Sequence, residues 1–550
     1  MIRPSHWRPS SGLTLEPNAE KAVTSQRGCI ALLAGPGAGK TETLAQRADF
    51  LLRTGVCPFP KRILAISFKK DASENLKERV SMRCGAELAG RFDSYTFHAF
   101  GKRLIDIFRT ALKGQDSLDE GYTVGEHRIL RKQITFKDMV PLANEVLNGC
   151  EAARNSIQST YSDVFLDEFQ DCTDNQYSLV LNAFQNCGAR IIAVGDTKQK
   201  IMGWAGALEG IFLKFEGDFK ATPLNLYQNF RSLHRIRRVH NRMIRDIDPA
   251  AAVPDEQIAG SEGEVACEFF ENDDAEAQWA AESVARWNAQ GIPFSQIAIL
   301  CNNQPHLYAQ KIMGLLNERG IPFRNEQEIQ DLGAEPLFCL IVDFLLVILG
   351  DAEPDAWERL RRILDSEIVE RSSTPRDWDR LLHKAKTALR DNPIFQTAWD
   401  LIEELLEKLG DDTIRGLSHD YENGARRNEI LANIKGLITS SFNENADPLK
   451  ALESIGGIDA VRILTIHKCK GLEFHTVVVQ GVEQETFWSK DSEANNCAYF
   501  VAISRAKKRL IVTNSDIREK LPGANNYWRT HRNRHEKFLG YVEPEIGGAV

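Results

Sequence analysis

Long apolar segments are scarce in this 550-residue sequence. The most apolar one, residues 338–349, is too short to span a bilayer and carries Asp343 in its middle, so we interpret it as a buried helix. Arg3 and Arg8 stand near the N-terminus without an apolar segment behind them, and no secretory signal is visible. These absences predict a cytoplasmic protein without a membrane partner.

Paired cysteines and an excess of positive charge are also missing. The eleven cysteines are scattered and odd in number, and no two are spaced as Cys-x-x-Cys. That usage favours reduced thiols over a disulfide framework, a zinc site or an iron–sulfur cluster. Lysine and arginine number 68 against 77 aspartates and glutamates, which gives a net charge of −9. Any contact with nucleic acid must therefore be a local patch.

No internal repeat or low-complexity tract stands out, and 550 residues are too many for one hydrophobic core, so several domains are expected. Short apolar runs rich in strand-forming residues recur, each flanked by helical pattern. They lie at 30–33, 63–68, 164–166, 191–194, 297–300, 463–466, 476–479 and 510–513. This alternation predicts an α/β fold whose parallel sheets are covered by helices on both faces.

The pattern changes between residues 300 and 463. Segments 357–364, 378–388 and 395–409 place apolar residues three and four apart with charges between them. That spacing is typical of amphipathic helices. We therefore predict a large, mostly helical insertion in the second of two α/β units.

A glycine-rich loop gives the most specific chemical signal. Residues 34–41 read Ala-Gly-Pro-Gly-Ala-Gly-Lys-Thr after an apolar run, the order in which a strand, a phosphate-binding loop and a helix N-terminus follow one another. Backbone N–H groups of such a loop face one anion, Lys40 supplies charge to the outer phosphates, and Thr41 offers a hydroxyl to Mg²⁺. The strict pattern has glycine where Ala34 stands, and a purely structural turn is the alternative. The predicted nucleotide-binding residues here are Gly35, Pro36, Gly37, Ala38, Gly39, Lys40, Thr41 and Glu42.

A second motif, Asp-Glu-Phe-Gln-Asp at 167–171, follows the apolar run 164–166. Its two adjacent carboxylates are predicted at the C-terminal tip of a strand, where parallel sheets bind ligands. Asp167 is predicted to hold Mg²⁺, and Glu168 to orient and deprotonate an attacking water. A solvated acidic loop is the alternative, which the upstream phosphate loop disfavours.

Joined to the phosphate loop, this pentad resembles that of superfamily 1A DNA helicases of the UvrD, Rep and PcrA type. Further segments resemble the motifs of that family in the same order along nearly the whole chain. They are 67–72 and 96–98 for DNA contact, 194–199 with 203–207 for coupling, 228–232 for the fourth motif, 465–474 for the fifth and 502–506 for the sixth.

The resemblance implies two RecA-like P-loop NTPase lobes with ATP and Mg²⁺ in the cleft between them. The expected boundaries are 1–107 and 155–232 for the first lobe, 108–154 for a small subdomain inserted in it, 233–331 and 454–550 for the second lobe, and 332–453 for a helical insertion in that lobe. Opening and closing of the cleft would move the protein along one DNA strand.

The resemblance also implies roles for single residues. The catalytic set is Lys40, Asp167, Glu168 and Gln199 from the first lobe, Arg505 from the second and Arg231 at the seam. Two arginines aimed at the γ-phosphate stabilise transition-state charge only when the lobes close.

The resemblance also implies binding contacts. Phe230 and Glu473 are the expected base and ribose contacts. The expected DNA contacts are Phe68 and Trp204 by stacking, with Lys69, Lys70, His98 and His467 near the backbone path. Each of these has an ordinary alternative, as a core aromatic or a solvated charge.

Three positions depart from the family pattern on the adenine side. Ala19 stands where a glutamine is expected, Glu42 where an arginine follows the loop threonine, and Phe230 where tyrosine precedes Arg231. Loss of a bidentate amide and a guanidinium weakens base discrimination. We therefore expect loose nucleotide selectivity.

The segments predicted to contact DNA also depart from the family pattern. Met202 and Ala205 replace a tyrosine and an arginine beside Trp204, and the connection 487–498, where relatives carry the hairpin that splits the duplex, is short. Translocation is therefore predicted more firmly than strand separation. Two basic stretches, 235–242 and 527–535, are either contacts to DNA or a partner, or solvated helix faces.

These motifs predict an ATP-driven 3′–5′ translocase and helicase, acting on single-stranded DNA or on a duplex with a single-stranded tail, as in DNA repair. The alternative is a regulatory subunit that senses DNA or nucleotide and activates a partner nuclease, by analogy with the compact UvrD-like chains of Gabija-type antiphage defence. No nuclease constellation follows the sixth motif, so cutting would come from another subunit. A P-loop protein that ignores nucleic acid is disfavoured by the ordered motif matches.

Overall fold

A computed structural model describes most of the chain. The described residues are 2–68, 70–125, 127–200, 207–325, 335–350, 354–364, 375–417, 421, 425–444, 459–488, 492–522, 524 and 527–546. The chain divides into two compact units, the first formed by Met1–Glu264 with Ser489–Lys508 and the second by Val265–Trp488 with Arg509–Ile546. Each unit contains one six-stranded sheet.

Strands and helices alternate up to residue 264. The strands are β1 (Ile30–Ala34), β2 (Arg62–Ser67), β3 (Phe92–Thr96), β4 (Leu118–Val124), β5 (Arg131–Ile134), β6 (Tyr161–Leu166), β7 (Arg190–Gly195) and β8 (Thr222–Leu226). The helices are α1 (Pro17–Thr24), α2 (Lys40–Arg53), α3 (Lys70–Cys84), α4 (Ala86–Ala89), α5 (Phe97–Phe108), α6 (Met139–Gly149), α7 (Glu151–Thr160), α8 (Asp174–Phe184), α9 (Ile211–Phe219) and α10 (His234–Ile247).

The rest of the chain is richer in helix. Its strands are β9 (Glu264–Asn272), β10 (Ile297–Cys301), β11 (Phe323–Asn325), β12 (Val461–Thr465), β13 (Phe474–Val479) and β14 (Ala506–Ile517). Its helices are α11 (Asp273–Ala289), α12 (Pro305–Tyr308), α13 (Gln310–Glu318), α14 (Pro336–Leu349), α15 (Pro354–Leu364), α16 (Pro375–Asp391), α17 (Phe395–Leu417), α18 (Ala425–Glu444), α19 (Ser492–Ile503) and α20 (Glu536–Val542). Of these, α19 belongs to the first unit.

The sheet of the first unit is parallel and apolar on both faces. Its strand order is β3-β2-β6-β7-β1-β8. Successive side chains of a strand face opposite sides, so Leu64 and Ile66 of β2 join one core cluster while Ile63 and Ala65 join another. Burial on both faces explains why these strands read as continuous apolar runs. The predicted α/β architecture is confirmed.

The second unit repeats the arrangement, with the strand order β11-β12-β10-β13-β14-β9. In its centre β10 pairs in parallel with both β12 and β13. Each of the eight predicted apolar runs coincides with a strand of the two sheets, and two of them, 63–68 and 463–466, extend one residue past the strand end. The boundaries proposed from sequence for the lobes and subdomains stay predictions.

Helices α14 to α18 form the predicted helical insertion and share an apolar core of their own. The central helix, α14, is the buried helix predicted for residues 338–349. Its Asp343 is only 5% exposed and accepts a hydrogen bond from Arg359 of α15 at 2.6 Å. The ion pair compensates the one acidic charge that interrupts this apolar segment.

The cysteines are all free thiols, and most of them are at least partly buried. None of the eleven cysteines forms a disulfide, and Cys339 on α14 is exposed while the other ten are buried or half-buried. Among the helices that the structure describes, none is both long and apolar enough to cross a membrane.

Candidate functional site

The phosphate loop joins the end of β1 to the start of α2. Gly37 and Gly39 adopt left-handed backbone conformations, with φ of +69° and +77°, which a side chain would strain. Lys40 opens the helix and its Nζ donates to the Ala34 carbonyl oxygen at 3.4 Å. No side chain caps the N-terminus of α2, so its first N–H groups and the helix dipole suit an anion.

Gly37 is packed against the segment that follows β8. A Cβ at Gly37 would lie 2.5 Å from Arg231 Cβ and 2.7 Å from Asn229 Oδ1. The Phe230 N–H donates to the Gly37 carbonyl oxygen at 2.9 Å, while the Phe230 ring is exposed. The backbone of the loop is therefore held by the same segment that carries Arg231 and Phe230.

The acidic pair lies at the end of β6, as its sequence position predicts. Asp167 is buried, and its Oδ1 accepts a hydrogen bond from the Glu168 N–H at 3.0 Å. Glu168 has a φ of +50°, an uncommon left-handed conformation for a residue with a side chain. Such strained positions cluster at functional sites.

Gln170, which sequence reasoning did not single out, links this pair to the end of β7. Its Nε2 donates to Glu168 Oε2 at 2.6 Å, and its Oε1 accepts from the Asp196 N–H at 3.0 Å. Gly195 leaves room for this contact, because a Cβ there would collide with Gln170 Oε1. The hydrogen bonds join two neighbouring strand ends.

From Asp196 the polar contacts continue to Arg505. Gln199 Nε2 donates to Asp196 Oδ2 at 2.8 Å, and Arg505 Nη2 donates to Gln199 Oε1 at 2.7 Å. Arg231 Nη1 donates to the Ser504 carbonyl oxygen at 2.9 Å. The structure thus brings Gln199, Arg231 and Arg505 together within the first unit.

Two groups near the phosphate loop have shifted pKa values. Burial raises the pKa of Asp196, but Lys198 and Lys40 outweigh it and hold the pKa below its usual range. Burial lowers the pKa of His240 to about 4, so this imidazole is neutral at pH 7. His240 Nε2 lies 3.1 Å from the Ile503 carbonyl oxygen, beside the turn that carries Arg505.

A cavity of about 270 Å³ adjoins the phosphate loop within the first unit. Its walls include Gly35, Pro36, Asp196, Lys198 and Asn229. Glu42, predicted to contact the nucleotide, forms ion pairs with Arg79 and Arg83 of α3.

Two of the predicted DNA-contact residues, Phe68 and His98, also lie in the first unit. Phe68 follows β2 and meets Phe97 edge to face, with ring centroids 6.1 Å apart. His98 stacks on Phe136 at 3.9 Å, an exposed ring that sequence reasoning missed. Burial lowers the pKa of His98 to about 4, so His98 does not offer a charge to DNA at neutral pH.

The structure describes only some of the other residues predicted to contact DNA or the ribose. Lys69, Trp204, Met202 and Ala205 lie outside the described residues, and Lys70 opens α3 with its side chain also outside them. His467 follows β12 and is half-buried, whereas Glu473 immediately precedes β13 and is exposed. Both belong to the second unit.

The basic stretch 527–535, interpreted from sequence as a contact to DNA or a partner or as a solvated helix face, precedes α20 and contains both buried and exposed residues. Arg532 is buried and stacks on Trp528 at 4.5 Å, and Arg534 lies 4.2 Å from the ring centroid of Phe269. His535 accepts a hydrogen bond from the Phe538 N–H at the start of α20. Arg532 is therefore part of the packing of the second unit, whereas Arg534 remains exposed.

A phosphate loop and an acidic strand end on one parallel sheet define the class of P-loop NTPases. Residues 19–205 match a family model described as an AAA domain, and residues 224–373 with 412–516 match the UvrD-like helicase C-terminal domain. The chain is 24% identical to DNA helicase II of Escherichia coli strain K12, over 97% of this chain and 88% of that protein. It is 23% identical to ATP-dependent DNA helicase PcrA of Bacillus subtilis strain 168, over 97% and 86%. The chain belongs to the UvrD-like helicases of superfamily 1A, a family of ATP-hydrolysing DNA helicases.

Proposed function

We propose that this protein is an ATP-driven 3′–5′ translocase on single-stranded DNA and a DNA helicase. The observation that carries the proposal is the unbroken series of hydrogen bonds from Glu168 through Gln170, Asp196 and Gln199 to Arg505. It connects the predicted base to the predicted transition-state arginine through the coupling motif. A purely structural turn has no need of such a connection.

The residues of the phosphate loop fit a magnesium–nucleotide complex. Gly37 and Gly39 hold the left-handed backbone that lets N–H groups surround an anion, and Asp167 is a buried carboxylate at the end of β6. Thr41 and Asp167 would hold Mg²⁺, which when bound neutralises charge on the outer phosphates. Lys40 would contact the β- and γ-phosphates of ATP.

The remaining catalytic residues act on the water and on the developing charge. Glu168 would orient and deprotonate the attacking water, with Gln170 fixing one of its carboxylate oxygens. Arg231 and Arg505 would stabilise charge on the transferred phosphoryl group, and Gln199 would hold Arg505 in place.

DNA would be gripped through stacking, which tolerates any sequence because every base has a π-face. Phe68 is the described stacking candidate, packed against Phe97. His98 would act through its ring and hydrogen bonds, since it is neutral.

The test is ATP hydrolysis by the purified protein with and without single-stranded DNA, beside Lys40→Ala and Glu168→Gln. We expect strong stimulation by DNA and loss of activity in both variants. Unwinding of a 3′-tailed duplex but not of a 5′-tailed one would establish the polarity. A rate near zero with every DNA would contradict the autonomous motor and favour a sensing subunit that activates a partner nuclease.

A further inference from the structure

Glu42 places a negative charge in the first turn of α2, one residue after Thr41. Burial raises the pKa of Glu42, but hydrogen bonds from Arg83 and Gln46 and the charges of Arg83 and Arg79 hold it below its usual range. The carboxylate is therefore ionised at neutral pH. Left alone, it would repel the phosphates of a nucleotide bound at the adjacent loop.

Two arginines of α3 compensate this charge. Arg83 binds Glu42 in bidentate fashion, with Nε 2.9 Å from Oε1 and Nη2 3.0 Å from Oε2. Arg79 Nη1 lies 3.5 Å from Oε2. With two guanidinium groups against one carboxylate, the cluster keeps a positive charge beside the phosphate loop.

Further hydrogen bonds fix the geometry of the pair. Gln46 Nε2 donates to Glu42 Oε1 at 2.8 Å, and Arg83 Nη1 donates to Ser11 Oγ at 2.6 Å. Ser10 in turn donates to Gln46 Oε1 through its backbone N–H at 3.0 Å. A planar arginine that is held on both of its edges has a more closely defined geometry than a flexible surface ion pair.

The helix that supplies the arginines begins beside the predicted DNA segment. α3 starts at Lys70, two residues after Phe68, and has 15 residues, which corresponds to a rod of roughly 20 Å. Arg79 and Arg83 lie near its far end. One end of α3 therefore adjoins a DNA-stacking candidate, and the other grips the helix of the phosphate loop.

We propose that the Glu42–Arg83 ion pair couples DNA binding at the start of α3 to nucleotide affinity at the phosphate loop. Both side chains act as positioning residues in this role. The inference rests on the proposed function, because it requires that the first unit bind both ligands. By linkage, the factor by which DNA changes nucleotide affinity must equal the factor by which nucleotide changes DNA affinity.

The experiment measures the dissociation constant of a fluorescent ADP with and without a saturating single-stranded oligonucleotide. The proteins are wild type, Arg83→Ala, the charge-swapped Glu42→Arg/Arg83→Glu, and Arg62→Ala as the control. Arg62 makes a comparable bidentate pair with Asp93 in the same unit, at 2.6 and 2.5 Å. Its removal controls for the loss of a partly exposed, bidentate ion pair elsewhere in the first unit.

We expect DNA to change the ADP affinity of wild type by about fivefold or more, the lower end of ordinary coupling. The change should fall below about twofold in Arg83→Ala, remain in Arg62→Ala and return at least in part in the swapped variant. DNA affinity measured with and without ADP should show the same factors. If the ion pair were merely structural, Arg83→Ala would weaken ADP binding equally with and without DNA. The factor by which DNA changes the ADP affinity would then be the same as in wild type.

Wild-type coupling in Arg83→Ala would overturn the inference, and so would a folded, nucleotide-binding swapped variant that stays uncoupled. A wild-type protein whose ADP affinity ignores DNA would overturn it as well. These failures are distinguishable from failure of the proposed function, because DNA-stimulated ATP hydrolysis by wild type tests the motor without reference to the pair.

Discussion

Gln170 holds the carboxylate of Glu168 in one orientation and ties it to the coupling motif. We expect Gln170→Leu, which removes both hydrogen bonds, to lower kcat for ATP hydrolysis about ten- to a hundredfold, since hydrogen bonds to charged groups contribute about 1.5–3 kcal/mol. KM should change little, because Gln170 does not belong to the phosphate loop. Steady-state kinetics measure both, with Gln158→Leu, another side chain bonded to backbone in the first unit, as the control. An unchanged kcat would show that the link to Glu168 is incidental.

Base selectivity depends on single positions at the adenine side. Because Ala19 has no amide and the Glu42 carboxylate is occupied by Arg83, we expect GTP and CTP to be hydrolysed nearly as well as ATP. Ala19→Gln should shift the preference towards ATP. Turnover assays with each nucleotide decide this, and a strict ATP preference in wild type would contradict the expectation.

His240 makes the first unit sensitive to acid. Its pKa is about 4 in the folded protein against about 6.5 unfolded, so the unfolded state binds the extra proton between these values. The stabilisation is complete above pH 6.5 and is lost as pH falls towards 4, by about 3 kcal/mol at most. We expect the melting temperature of His240→Gln to fall less than that of wild type across this window. Parallel curves for the two proteins would exclude His240 as the cause.

At the scale of secondary structure, the pair between α14 and α15 secures the helical insertion. Arg359→Ala leaves the buried Asp343 carboxylate without its bidentate partner, and we expect a loss of about 3 kcal/mol in the free energy of unfolding. Arg380→Ala is the matched control, because Arg380 pairs with Asp377 on an exposed surface, where such pairs contribute about 1 kcal/mol or less. Thermal unfolding compares the two variants. Equal effects would mean that burial of Asp343 does not decide the cost.

Two of the strands that the sequence pattern missed, β4 and β5, form a separate two-stranded sheet, and the other four share one position. β3, β8, β9 and β11 are the edges of the two six-stranded sheets, whereas every strand predicted from an apolar run lies inside a sheet. An edge strand is paired on one side and partly exposed, so it carries polar residues such as Asp93 and Asn225 in place of a continuous apolar run. Local pattern therefore finds central strands and overlooks edges.

The same distinction applies to the candidate site. The phosphate loop and the acidic pair are contiguous motifs at strand ends, and sequence order alone places them correctly. Gln170, Arg83 and Phe136 were missed because their contacts join residues far apart in the chain or on different elements. The assigned roles of the predicted site residues stay predictions until the variants are tested.

At the scale of the whole molecule, one buried charge cluster joins distant parts of the second unit. Arg518 donates to Glu276 and to Glu483, each at 2.7 Å, and all three side chains are buried. The cluster connects α11, the segment after β13 and the segment after β14.

We expect Arg518→Met to destabilise the second unit by about 3–5 kcal/mol, because two carboxylates lose their shared partner. The first unit has its own core, so binding of fluorescent ADP at the phosphate loop should persist. Calorimetry resolves the transitions of the units, and titration of ADP reports on the first. If Arg518→Met lost ADP binding while its first unit remained folded, nucleotide binding by the first unit would depend on the second unit, and the prediction would be wrong.

The uneven exposure of the thiols offers a practical route to observing this molecule at work. A maleimide dye at limiting concentration should react first at Cys339, in the helical insertion, without any cysteine being added or removed. Paired with an acceptor on the end of a DNA strand, that single label would convert the position of the insertion into a distance signal, molecule by molecule.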